Sequence, residues 1–187
     1  MNRLILALLL TLCLAANGAV AQQSAAAKQF DFLIGHWSIE LTPKVSSLAA
    51  LMHGTPKLLG SWKAWRAFDG RGIEDELRVT DSSGNPQAFN HTLRLYDADG
   101  QRWKINGLDV YRAQMNLSEA QLRGGLMQVD GKGSSHSGDA YISRSRFIDV
   151  SDDSFRMQQD RSYDGGASWE EETLVIVAKR VSEQAQR

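Results

Sequence analysis

The sequence predicts an all-β fold of antiparallel strands, either a sandwich or a barrel. Three observations carry this. Strand-forming runs recur at fairly even spacing. Many links between them are rich in Asp, Gly, Asn and Ser, the residues that tight turns need. No helices alternate with the strands, as a parallel sheet would require.

Residues 1–21 read as a secretory signal. Arg3 gives a positive start, and an apolar run follows from Leu4 to about Ala16. Ala19-Val20-Ala21 then supplies the small residues of a cleavage site. The run is too short to span a bilayer comfortably as a helix. Cleavage after Ala21 leaves one domain, residues 22–187, with the periplasm or the exterior as the expected location. Cys13, the only cysteine, sits inside the apolar run behind Leu12, an arrangement that argues against a lipid anchor. Its removal leaves neither a disulfide nor a thiol nucleophile.

The chain carries 21 basic and 22 acidic residues, a formal net charge of −1. No basic tail or aromatic-plus-basic cluster is present, so nucleic-acid binding has no electrostatic support. No further apolar span follows the signal, so no membrane span is expected.

The elements follow in order. Ala25–Ile34 reads as a short helix stopped by Gly35. Strands are expected at His36–Leu41, Leu59–Phe68, Ile73–Thr80, Ala88–Tyr96, Arg102–Val110, Ala120–Val129, Ala140–Asp149, Ser154–Ser162 and Trp169–Arg180. One helix separates the first two strands. Val45, Leu48, Ala49 and Met52 share a face there, and Gly54 and Pro56 stop it. It either covers one end of the fold or closes over a cavity.

Residues 162–169, SYDGGASW, match the Asp-box pattern found on the propeller blades of sialidases and other glycan-handling proteins. A propeller repeats its blade. This chain has one good copy, one degenerate copy (YDADGQRW, 96–103), and too few residues for six blades. The pattern therefore reads as a hairpin device and not as a glycosidase site. Asp164 caps the turn, Gly166 takes a backbone geometry others resist, and Trp169 packs on the far arm.

FLIGHWSIE places Gly35-x-Trp37 between a helix ending and a strand. This is similar to the opening of calycin barrels, the group of lipocalins, fatty-acid-binding proteins and nitrobindins. Together with DGRGIEDE, RLYDADGQRW and SYDGGASWEEE, it resembles a bacterial family of exported calycin-like barrels. The resemblance implies an antiparallel up-and-down barrel of eight to ten strands, with a short N-terminal helix and one helix between strands one and two. It implies that Trp37 plugs the closed end under a basic residue of the last strand, Arg180 or less readily Lys179, by a cation–π contact. Nitrobindins hold haem through a histidine near the C-terminal end. The last histidine here is His136, in the loop GKGSSHSGD, so neither haem nor any other cofactor is expected.

The remaining chemistry is sparse. His36, His53, His91 and His136 show no metal-ligand spacing. Ser134, Ser135 and His136 lie in a Gly-rich loop without a nucleophile elbow. Glu170, Glu171 and Glu172 alternate between faces and read as a solvated strand. His91 shares a face with Phe89, Leu93 and Leu95, which alternation points inward. It would orient or protonate a ligand, or sit in the core with one hydrogen bond. Arg66 shares a face with Trp62, Ala64 and Phe68, and Arg146 with Ile142 and Ile148. Charges on such faces must be paired, with acids across the barrel or with a ligand carboxylate.

The cavity candidates are thus Trp62, Arg66, His91 and Arg146. Gly35, Trp37, Asp164, Gly166, Trp169 and Arg180 are expected to be structural. No catalytic or metal-binding residue is expected. The leading expectation is an exported barrel that binds a small apolar molecule, anionic if an inward arginine faces it. The alternatives are an isomerase- or hydrolase-like enzyme using an inward histidine or carboxylate, and a structural envelope protein with a filled barrel.

Overall fold

The computed structural model describes residues 25–46, 51–52, 54–135 and 137–182. The signal segment, the centre of the helix expected between the first two strands (47–50), His53 and His136 lie outside the described residues. Met52, expected on that helix's apolar face, is exposed.

Ten strands form one closed antiparallel barrel: β1 (Gly35–Pro43), β2 (Leu58–Ala67), β3 (Gly72–Thr80), β4 (Pro86–Asp97), β5 (Arg102–Asp109), β6 (Gln114–Arg123), β7 (Leu126–Ser134), β8 (Ala140–Ile148), β9 (Ser154–Ser162) and β10 (Glu170–Arg180). Each strand pairs with its neighbours in sequence, and β10 closes onto β1. The single strand expected over Ala120–Val129 is instead two. Gly124 and Gly125 have φ of 58° and 82°. Both central residues of this two-residue hairpin are left-handed, a geometry that glycine adopts without strain. The turn splits the run into β6 and β7.

The N-terminal segment is less regular than the expected helix over Ala25–Ile34. Single turns lead into a 3-10 turn at Asp31–Leu33. This segment plugs one end of the barrel. Phe30 and Leu33 are fully buried. Phe30 packs edge-on against Trp103 (5.2 Å) and Phe147 (5.9 Å), and Phe32 reaches Phe147 and Phe155. Such edge contacts suit the ring quadrupoles.

Trp37 is fully buried beside this plug, and its indole N–H donates to the Leu33 carbonyl at 2.7 Å. The Arg180 guanidinium lies 4.0 Å from the centre of the Trp37 ring and donates to the Ile34 carbonyl at 3.0 Å. Gly35 makes this possible. Its φ is +137°, and a Cβ there would collide with the Arg180 Nη1.

The interior near the plug is filled. Inward residues from all ten strands are buried there, among them Ile39, Trp62, Ile73, Trp103, Phe147 and Ile176. One charged pair lies inside this core. Arg94 of β4 is ion-paired with Asp75 of β3, and the Trp62 indole N–H donates to Asp75 Oδ1 at 2.7 Å. Burial pulls the Arg94 pKa down to about 9, still above neutral, so the guanidinium stays charged.

Candidate functional site: the open half of the barrel

Away from the plug, Leu41 and Val79 are still buried, but the inward residues of β4 to β9 are mostly half-buried. Side chains alternate between faces along a strand, so the buried Trp103 and Ile105 put Gly107 on the inner wall of β5. The same rule puts Asn90 and Thr92 of β4, Ser118 of β6, Gly131 and Gly133 of β7, Tyr141 and Ser143 of β8, and Gln159 and Arg161 of β9 on that wall. All of these are half-buried. An inward residue that still meets solvent borders open space. Gly107 shows this directly, since a Cβ there would meet nothing within 4 Å except the Asn116 carbonyl oxygen at 3.9 Å.

The two sides of this space differ. Leu58 of β2, Leu77 of β3 and Leu174 of β10 form an apolar side, while the wall from β4 to β9 is small and polar. Two charged residues stand in the polar wall: Asp109, the register partner of Asn90, whose carboxylate is paired with Arg112 at 2.6 Å, and Arg161. Arg161 donates through Nε to Gln159 Oε1 at 3.0 Å, and its guanidinium carbon lies 4.4 Å from the centre of the Tyr141 ring. Tyr141 in turn lies across Gly133, whose missing side chain makes room for it. Arg161 forms no ion pair with any described residue.

None of the four sequence-derived cavity candidates lines this space. Trp62 is buried in the filled half, bonded to Asp75. Arg66 turns toward the plug, where it pairs with Asp31 and ties the N-terminal segment to β2. His91 is not inward. It lies on the outer face, opposite in alternation to the buried Arg94, with Nε2 2.7 Å from Glu74 Oε1 and Trp65 nearby. Arg146 is also on the outer face, where it and Arg144 converge on Asp160 Oδ2 at 2.7 and 2.8 Å. Burial alone would raise the Asp160 pKa. The Glu172 amide and the two guanidiniums outweigh it and hold the carboxyl below its ordinary value. Arg161, which the sequence reading did not single out, is the inward arginine of the open half.

A groove of about 940 Å³ crosses the outer face of β5 to β8, with Lys104, Glu119, Asp130, Arg144 and Trp169 along it; Ser118, Gly131 and Ser143, whose side-chain positions point to the interior, also contribute to its lining. Most of its basic residues are paired: Arg102 with Glu119 (2.9 Å), Lys104 with Asp97 (2.9 Å), Arg123 with Asp130 (3.1 Å) and Arg144 with Asp160, while Lys132 is exposed to solvent. The interior guanidinium has no such partner, which makes the barrel interior the stronger candidate. Among the described residues no group of three His, Cys, Asp or Glu side chains is placed to hold a metal, and no helix is long and apolar enough to cross a membrane.

The Asp-box hairpin joins β9 to β10 at the open end. Asp164 accepts from the Ser168 hydroxyl (2.6 Å), the Ser168 amide (2.9 Å) and the Ser162 hydroxyl (2.7 Å). The Gly166 amide donates to Ser162 Oγ at 2.8 Å. Trp169 lies under the Arg144 guanidinium at 4.2 Å. Every partner of Asp164 is inside the loop. These bonds, the Ser168 hydroxyl foremost, hold its carboxyl well below the ordinary 3.8. The folded-state pKa is depressed, so the stabilisation is present above the unfolded-state value and fades as pH falls through the folded one. Asp164→Ala is therefore expected to lower the melting temperature at neutral pH, with the gap from wild type narrowing in acid. Calorimetry across pH checks this. A gap independent of pH, or loss of ligand binding at unchanged stability, would refute a purely structural hairpin.

The chain matches no protein-family model and no curated protein sequence. What it can do is therefore read from the geometry of the barrel.

Proposed function

We propose that this protein is an exported, calycin-like barrel that binds a small anionic molecule in its open half. The observation that carries the reading is Arg161, an inward guanidinium without an acidic partner among the described residues, in a wall whose carboxylate, Asp109, is already paired with Arg112. A ligand carboxylate would supply the missing counter-charge in a strong, charge-assisted geometry. Leu58, Leu77 and Leu174 give the rest of the molecule an apolar side to rest on. The fill is graded. The plugged half provides stability, and the other half keeps space that side chains could have occupied.

Signal-directed export fits the reading, because residues 1–21 have the make-up of a secretory leader. Catalysis has less support. The close contact of His91 with Glu74 lies on the outer face and not in the open half.

A thermal-shift screen of fatty and aromatic acids, run beside their neutral amides, tests the proposal. An acid at a hundred times its dissociation constant should stabilise wild type by about 2.7 kcal/mol. Arg161→Met should weaken the same acid by about 1.5–3 kcal/mol, the range for a hydrogen bond to a charged group. Failure of every acid to shift wild type, or equal shifts by acids and amides, would sink the reading.

A further inference from the structure

Ser118, Gly131, Ser143 and Arg161 form one row across β6, β7, β8 and β9, each the direct register partner of the next. All four face the open half of the barrel. Gly131 stands between the two serines, and their hydroxyls converge on the space its missing side chain leaves. A Cβ there would lie 2.8 Å from Ser118 Oγ and 3.3 Å from Ser143 Oγ. Neither hydroxyl is bonded to another described residue, and both serines are half-buried. Ser145, one inward position deeper on β8, differs. It is buried and accepts from Gln159 Nε2 at 3.3 Å.

Two hydroxyls unengaged among the described residues, beside a glycine niche and in line with a guanidinium that lacks an acidic partner, define more than an anion site. We propose that the ligand is a hydroxylated carboxylic acid, with its carboxylate on Arg161 and a hydroxyl seated over Gly131 between Ser118 and Ser143. This rests on the reading that the open half binds an anion, and it narrows that anion to one chemical class. A hydroxyl is both donor and acceptor, so the bound group can donate to one serine while accepting from the other. A plain hydrocarbon in the niche would take water from both serines and return nothing, which opposes binding. The glycine is part of the recognition, because any side chain at 131 would fill the niche.

Calorimetric titration with matched pairs tests this: naphthoic acids and straight-chain fatty acids, each against its hydroxylated isomers. The proteins are wild type, Ser118→Ala/Ser143→Ala and Arg161→Met, each first shown to melt cooperatively. At least one hydroxylated acid should bind wild type about tenfold more tightly than its parent, the worth of roughly one hydrogen bond. The serine double variant should erase that preference while leaving the parent acid's affinity within about threefold, since it removes only groups the parent does not use. Arg161→Met should weaken both members of a pair. Equal binding of parents and hydroxylated isomers to wild type would overturn the hydroxyl assignment and leave the anion reading standing. So would a preference that survives in the double variant. If no acid of either kind binds wild type, the anion reading falls and this assignment falls with it.

Discussion

Trp37→Ala is expected to lower the free energy of unfolding by about 3–5 kcal/mol, the range for emptying a buried aromatic site. Trp37 has no exposed surface, and its ring meets Phe155 edge-on at 4.9 Å. Three interactions end together in the variant. The aromatic core loses its neighbour, the Leu33 carbonyl loses its indole donor, and the Arg180 guanidinium loses the ring beneath it. Because Leu33 and Ile34 belong to the plug segment, the loss should also loosen residues 25–34. Chemical denaturation gives the first effect, and faster amide exchange of the Phe30–Ile34 segment gives the second. A change below about 1 kcal/mol would show that the site collapses around the smaller residue and that the plug does not depend on the indole. Trp37→Phe separates the contributions, since it keeps a ring for the core and for Arg180 but removes the indole donor.

The fold was legible because turn chemistry and strand runs agree along most of the chain. Ser154–Ser162 and the last strand emerged almost as expected, bounded by VSDDS and by the Asp box. The split of Ala120–Val129 was also signalled by Gly124-Gly125, since a glycine pair between strand-like runs is a hairpin mark. The run's apolar content masked it, and QMNLS at the start of β6 lies outside the strands expected from sequence. Met115 and Leu117 in that stretch are exposed in the structure, so no buried face announced the strand.

The site was less legible, and β4 shows why. In FNHTLRL the apolar Phe89, Leu93 and Leu95 suggest the core face. The structure turns them outward. Phe89 lies under the Arg78 guanidinium at 3.7 Å, and Leu95 is exposed. The inward set is Asn90, Thr92 and Arg94. Two of these border the open half, and the third is held by an acid from the next strand. A strand that lines a polar space inverts the usual alternation, so the failure of the pattern marks the place where the barrel gives up apolar packing. The idea that an arginine on an inward face has a specific partner applies to Arg94. It also leads to Arg161, which shares the phase of Phe155 and Met157 on β9 although QQDRS itself carries no apolar residue.

Asp75→Ala is expected to be as damaging as the loss of Trp37, for an electrostatic reason. Arg94 is buried and charged, and Asp75 is its only acidic partner among the described residues. Removing the carboxylate strands a guanidinium in the core, which costs about 3–5 kcal/mol in comparable buried pairs. It also leaves the Trp62 indole N–H without its acceptor. The double variant Asp75→Ala/Arg94→Met should recover a large part of that loss, because desolvating two charges is itself expensive and an apolar replacement avoids it. The expected order of stability is wild type, then the double variant, then Asp75→Ala, with coupling between the two positions well above the few tenths of a kcal/mol seen for independent sites. Urea denaturation of the four members of the cycle measures this directly. Additive effects would mean that Arg94 reaches solvent or another acceptor once Asp75 is gone. A double variant as stable as wild type would mean that the pair contributes no net stability, and its place beneath the open half would then be the feature to explain. Ligand binding in the same four proteins separates the two cases. A pair that only fills the core leaves affinity unchanged, whereas a pair that supports the polar wall through Thr92, next on the inner face of β4, lowers it together with stability.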